Sequence, residues 1–263
     1  MRRLVGIVFG LGVQALFALT ARRLFWFLKG PESPLATAGN LWADGLLALQ
    51  FALPHSVLLL PKVRKCMSRI LPDAFYGYMY CAVTCSSLLV TFALWQTSPT
   101  VIWRATGIAR LAIEAAFIGS WVALVYSLSL TGLGYQTGWT PWWHWLRRKP
   151  LPPRSFEPRG AYLWLRHPVY LSFLGLIWFV PLLTLDRAVL TGVCTVYIFF
   201  GSWLKDQRLA FYLGHRYREY QAAVPGYPGL SAGPLGRIPT SCDEPAIHPL
   251  PAHSTASLSR KAA

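Results

Sequence analysis

Arg166, His167, Pro168, Val169 and Tyr170 stand together where a basic loop meets an apolar stretch. A guanidinium, an imidazole and a phenol at one point can bind an anion, exchange a proton and stack on a flat ring. Proline is favoured at the first helical position, where its missing N–H costs nothing. His167 is therefore expected to cap a helix beginning at Pro168. The free N–H groups at such a start favour a carboxylate or phosphate, and Arg166 adds a full positive charge. Tyr170, one turn inside, can stack on a base while its hydroxyl stays near water. The bland account has Arg166 and His167 snorkelling to headgroups and Tyr170 in an aromatic belt. Spacing alone leans to that account.

A second group closes the next apolar stretch: Asp206, Gly214, Tyr217, Tyr220 and Val224-Pro225. Asp206 could accept hydrogen bonds from ribose hydroxyls or favour a sulfonium. Otherwise it is a surface carboxylate beside Lys205 or Arg208, worth little. His55-Ser56 follows Pro54, and a polar pair there is costly in lipid, so it should face the bundle. A substrate pocket and a structurally satisfied pair explain His55 equally well. Glu114 can pair with Arg110 one turn away, and Asp44 is expected to reach the outer interface. His215 reads as solvated. Five cysteines, Cys66, Cys81, Cys85, Cys194 and Cys242, contain no CxxC pair and read as inert thiols. No GxGxxG loop, nucleophile elbow or HExxH occurs, which disfavours soluble cofactor folds and zinc hydrolysis.

The elements that must position these groups follow from composition. Of the 263 residues, 54% are hydrophobic and 13% charged, against about 25% charged in soluble domains. Spans of bilayer length, about 20 residues, are expected near 4–20, 38–60, 74–97, 108–131, 169–185 and 188–204. The sequence thus predicts an all-α polytopic bundle of six spans, or five if the first is not an independent span. The last two form a hairpin turning at Leu185-Asp186-Arg187. An uncleaved first helix suits Met1 to Thr20 better than a signal peptide does.

The net charge of +15 reflects loops on one membrane face rather than nucleic-acid binding. Arg2, Arg3, Lys62, Arg64, Lys65, Arg69, Arg147, Arg148, Lys149, Arg154, Arg159 and Arg166 share that face, which places both termini in the cytoplasm. Arg22 and Arg23 dissent. Trp139, Trp142, Trp143 and Trp145 beside Arg147-Arg148-Lys149, in a loop with Pro150, Pro152, Pro153 and Pro158, suggest an interfacial anchor. Leu204 to Ala223 reads as one interfacial helix ended by Val224-Pro225. The domain is placed at 1–225, its cofactor part at about 131–225, and 226–263 is expected to be a disordered tail.

The order Gly160-Ala161-Tyr162, Arg166-His167-Pro168-Val169-Tyr170, Tyr197, Leu209, Leu213-Gly214, Tyr217, Tyr220, Val224-Pro225 resembles the isoprenylcysteine carboxyl methyltransferase superfamily of integral membrane methyltransferases. His55-Ser56 and Thr131-Gly132-Leu133 look more like its methanethiol S-methyltransferase and NnrU-type branch. The resemblance implies an S-adenosylmethionine pocket at the cytoplasmic end of the last hairpin. Arg166, His167 and Tyr170 would line it, with the backbone near Tyr162 and Leu165. Asp206 would take the place of the family's second glutamate, and Tyr217 would close the following helix. Asp206 and His55 are the candidate catalytic groups. The acceptor would be small or lipid-soluble, a thiol in one version, arriving from the membrane. The chain departs from the family at Lys205, where a glutamate is usual, at Ala223, where an arginine is usual, at Ser172 for glycine and at Leu60 for arginine.

These features favour an S-adenosylmethionine-dependent membrane methyltransferase facing the cytoplasm, in a bacterial inner membrane. One alternative is a non-catalytic protein of the same fold that supports redox or denitrification enzymes, to which Lys205 and Ala223 point. Another is a membrane reductase using a nicotinamide nucleotide.

Overall fold

The apolar runs become helices because, in lipid, a helix satisfies its backbone N–H and C=O groups internally. The structure, a computed structural model, describes residues 2–30, 40–152 and 156–238. In order these are α1 (Arg2–Lys29), α2 (Leu41–Val57), α3 (Pro61–Met67), α4 (Asp73–Leu94), β1 (Val101–Arg104), α5 (Gly107–Leu130), α6 (Leu133–Gln136) and α7 (Trp139–Arg147). A 3-10 turn (Gly160–Leu163), α8 (Pro168–Trp178), β2 (Leu182–Thr184), α9 (Leu185–Leu213) and α10 (His215–Ala223) follow. Pro153, Arg154, Cys242 and the tail from 239 lie outside the described residues, as does the expected start of the second span.

The chain is an all-α polytopic bundle. Helices α1, α4, α5 and α9 are each long and apolar enough to cross a membrane, and α2 with α3, bent by 71°, makes a fifth if the pair is one span. In the most apolar window of α5 only 11% is buried inside the protein. Its Leu111, Ile118, Val122 and Val125 face outward, as suits an integral membrane protein whose outer solvent is hydrocarbon.

The six expected spans are realised differently. The fifth is α8, only eleven residues long, which reaches about 16 Å against a core of about 30 Å. Beyond it the chain extends and pairs antiparallel, β2 with β1, with Trp103 opposite Leu183. No tight turn joins the hairpin. Asp186 and Arg187 instead lie buried in the first turn of α9. Asp186 accepts hydrogen bonds from Trp95 Nε1 at 3.0 Å, Ser98 N at 2.9 Å and Thr184 Oγ1 at 2.6 Å. These bonds fix the 95–98 loop and the strand end, which a solvated turn could not do. Asp44 is also buried rather than at the interface, accepting from Gln96 N at 3.0 Å.

Two apolar cores hold the bundle. One joins α1, α5, α8 and α9 through Leu28, Phe117, Leu124, Leu176, Ile177, Leu190 and Ile198. The other joins α1, α4 and α7 through Val13, Tyr78, Cys81, Cys85 and Trp142. Trp142 therefore does more than anchor: it is fully buried, and its Nε1 donates to Gly6 O at 2.9 Å. A Cβ on Gly10 would lie 2.5 Å from the same ring, so Gly10 is what lets the indole lie against α1.

The expected single helix over 204–223 is broken. Gly214, at φ 58° and ψ −133°, ends α9 and starts α10. That backbone region is essentially open to glycine alone. Past Pro225 the chain is anchored at points as far as Ile238: Tyr227 is 3% exposed, and Ile238 N donates to Gln221 O at 3.1 Å, while residues 228–234 between them are exposed.

Candidate functional site

The loop between α7 and α8 reaches the site through the Gly160–Leu163 turn. Gly160 has φ +57°, and a Cβ there would strike the Tyr126 hydroxyl. Pro168 opens α8 at its first position, as its chemistry dictates. His167 is the residue before it, but its side chain caps nothing. Its backbone N–H turns to Gly226 O at 3.2 Å, and Arg166 N turns to Pro225 O at 2.9 Å. Residues 225–238 thus form a strap across this corner. Gly226 is required there, since a Cβ would lie 2.4 Å from Leu235 O and 3.0 Å from His167 Cδ2.

Beneath the strap lies a buried ionic cluster. Arg166 Nη2 stands 3.0 Å and His167 Nε2 3.2 Å from Oδ2 of Asp206, and all three side chains are at most 1% exposed. Tyr217 donates its hydroxyl to Oδ1 of Asp206. Arg166 also donates to Gln221 O at 3.2 Å and Pro234 O at 3.4 Å. The alignment is incomplete: Nε of Arg166, both ring nitrogens of His167 and Oδ2 of Asp206 lack a directed hydrogen-bond partner. Buried polar groups are normally satisfied, so such a concentration calls for an explanation. Burial pushes the His167 imidazole below its usual range, with nearby Asp206 opposing the shift.

Aromatic rings surround this cluster. Tyr170 lies edge-on to His167 at 5.5 Å, and Tyr227 lies tilted against the same ring at 5.5 Å. Tyr217 packs on Phe156 at 5.4 Å and on Tyr220 at 5.7 Å. Tyr220 donates to the carbonyl of Tyr162. Burial pushes the Tyr162 phenol up to about 12, so it stays protonated. Lys205 Nζ sits 5.3 Å from the Tyr170 ring centre and 5.8 Å from that of Tyr162, placing a cation between them.

On the α2 side of Tyr170 is a second polar group. Both ring nitrogens of His55 lie within 2.9 and 3.0 Å of the Tyr80 hydroxyl. Ser56 Oγ and the Tyr197 hydroxyl are 2.9 Å apart. Arg208 is close enough to act electrostatically on His55, Tyr80 and Tyr170. These side chains are half-buried where α2, α4, α8 and α9 meet.

Arg166, His167, Asp206, Tyr170 and Tyr217 are brought into one cluster, with Tyr162 beside it through Lys205 and Tyr220. Leu165 is half-buried at its edge, its N–H given to Ala161 O at 3.1 Å. His55 is not in that cluster but adjoins it across Tyr170. His215 is exposed and lies 3.4 Å from Glu219. Sequence reasoning missed Gln221, Gly226, Tyr227 and Pro234, which act mostly through backbone, and Tyr80, one tyrosine among many. Asp206 shows no simple pairing with Lys205 or Arg208: its partners are 40, 39 and 11 residues away in sequence, at Arg166, His167 and Tyr217.

No family model matches the sequence, and no solved structure matches it. The chain is similar to methanethiol S-methyltransferase 1 of Bradyrhizobium diazoefficiens, 27% identical over 238 residues, covering 84% of this chain and 81% of that protein. It is similar to methanethiol S-methyltransferase of Mycobacterium tuberculosis, 27% identical over 237 residues, covering 85% and 96% respectively. It is also similar to Nurim of Mus musculus, 26% identical over 227 residues, covering 78% and 86%.

Proposed function

We propose that this protein is an integral membrane methyltransferase using S-adenosylmethionine and acting on a small or lipid-soluble acceptor, a thiol first of all. The observation that carries the reading is the convergence of Arg166 and His167 on Asp206 Oδ2, with Arg166 Nε and His167 Nδ1 left without a partner. Arg166 and His167 offer donors to a carboxylate, and Asp206 offers an acceptor to an ammonium. That pair suits the amino-acid end of the cofactor. Tyr170 and Tyr217 supply rings for the adenosine end, with the backbone near Tyr162 and Leu165 alongside. The similarity to proteins named methanethiol S-methyltransferase, over most of their lengths, supports both the reaction and the thiol.

When bound, the cofactor supplies a methyl group already activated by its sulfonium. The chain's task is then to align the acceptor and exclude water. Asp206 is held by Tyr217 and Arg166, so it can fix polar hydrogens without moving. His55 is positioned by Tyr80 and takes at a ring nitrogen the proton that a thiol loses. Acceptor enters from the membrane between α2 and α9, past Ser56 and Tyr197. The basic face of the bundle is the cytoplasmic one, in an inner membrane.

Lys205 favours a second reading, a non-catalytic protein of the same fold. Its ammonium already lies between Tyr162 and Tyr170, where an incoming sulfonium would otherwise find the aromatic faces. The test is transfer of labelled methyl from S-adenosylmethionine to methanethiol by the full chain in liposomes, with a prenyl-cysteine in parallel. Transfer that His55→Ala reduces supports the first reading. A folded protein inert toward both acceptors supports the second and overturns the first.

A further inference from the structure

The basic end of α1 and α7 forms a separate recess that the proposed reaction does not use. Arg3, His144, Trp145, Arg148 and Lys149 line about 460 Å³ there, within the roughly 300–1,000 Å³ of small-ligand sites. Three of these residues carry a fixed positive charge, and no carboxylate is among the lining residues. Arg3 is held in place by donating Nη2 to Leu146 O at 2.8 Å. The neighbouring Arg147 is engaged elsewhere, its guanidinium 4.3 Å over the Trp143 ring.

The backbone gives an independent sign. Arg148 ends α7 in the left-handed region, at φ 54° and ψ 35°. It is the single non-glycine residue with positive φ among the described residues. Glycine is the usual occupant of such a cap, because a Cβ is strained there. Keeping an arginine at this position, with its side chain lining a cationic recess, exchanges local stability for charge at a chosen place.

An exposed apolar surface lies beside the recess. Leu4 and Leu11, side by side on α1 about a quarter-turn around the helix from Arg3, are 65% and 53% exposed. Trp145, packed against Phe75 at 4.8 Å, supplies the indole that is characteristic of membrane interfaces. A ligand whose phosphate enters the recess can lay acyl chains along that α1 face. We propose that Arg3, Arg148 and Lys149 bind the headgroup phosphate of an anionic phospholipid. A basic pocket between membrane helices has the chemistry for this.

The experiment is titration of the full-length protein in maltoside micelles with dihexanoyl phosphatidylglycerol, dihexanoyl phosphatidylcholine and inorganic phosphate. The proposal expects saturable binding of phosphatidylglycerol, weaker by about fivefold for each basic residue removed in Arg148→Gly and Arg3→Ala. Arg148→Gly should also raise the lipid-free melting temperature, because glycine relieves the cap. A lower melting temperature would assign Arg148 to internal packing and overturn the argument from strain. Equal binding of phosphatidylcholine would overturn selectivity for an anionic lipid. Inorganic phosphate bound as tightly as the lipid would make the recess a free-anion site. Unchanged affinity in both variants would remove the site.

Discussion

Asp206→Ala isolates the energetics of the buried cluster. In the native protein Oδ2 neutralises Arg166 at 3.0 Å, and both side chains are excluded from solvent. Oδ1 accepts the hydroxyl of Tyr217, itself 1% exposed. Truncation leaves a buried guanidinium without its counter-charge, a loss of about 3–5 kcal/mol. The stranded Tyr217 hydroxyl adds a term of about 1–3 kcal/mol that overlaps with the first, so the two do not sum. A fall of about 3–5 kcal/mol is a large share of the roughly 5–15 kcal/mol that holds a typical protein folded. Unfolding in mixed dodecyl sulfate micelles, followed by circular dichroism, reads this directly. Arg166→Met combined with Asp206→Leu removes both charges, and should recover at least about 1 kcal/mol relative to Asp206→Ala. A loss below about 1 kcal/mol in Asp206→Ala, the size of a surface pair, would refute the reasoning, as would a double variant no better than the single one.

Three further outcomes are expected. Gly226→Ala should cost about 1–3 kcal/mol by overpacking against Leu235 O and His167, and limited proteolysis should then cut beyond Pro225 faster than in the wild type. Trp142→Ala should cost about 3–5 kcal/mol, whereas Trp142→Phe, which mainly loses the bond to Gly6 O, should cost about 1 kcal/mol; both are read from the same unfolding curves. Burial depresses the His167 pKa in the folded state, so the unfolded chain binds the extra proton. Stability should therefore fall as pH drops below about 6.5, and the drop in melting temperature from about pH 7.5 to about pH 5.5 should be smaller in His167→Gln.

Hydropathy made the bundle legible because length and apolarity suffice to place α1, α4, α5 and α9. It failed at α8, where a window of average apolarity cannot distinguish eleven helical residues from extended chain paired with β1. Asp44 read as interfacial by position and Asp186 as part of a tight turn, yet each is consumed by donors of the 95–98 loop and its surroundings that no local pattern announces. The Arg166-His167-Pro168 start was readable because proline and helix termini follow local rules. The Arg166–Asp206–Tyr217 cluster depends on α9 bringing its far end against the loop before α8, which was foreshadowed only by the family resemblance. The strap over Gly226 had no sequence signal, since its bonds are carbonyl to N–H and any residue can make them. Lys205 looked like a missing glutamate; its place between Tyr162 and Tyr170 emerges only in three dimensions.

The central claim is that Arg166, His167 and Asp206 hold S-adenosylmethionine. Isothermal titration of the detergent-purified full chain with S-adenosylmethionine, alongside S-adenosylhomocysteine, tests it most directly. Saturable binding of both that His167→Ala abolishes, with the variant's circular dichroism unchanged, is the predicted result. No binding at millimolar cofactor by folded wild-type protein would contradict it.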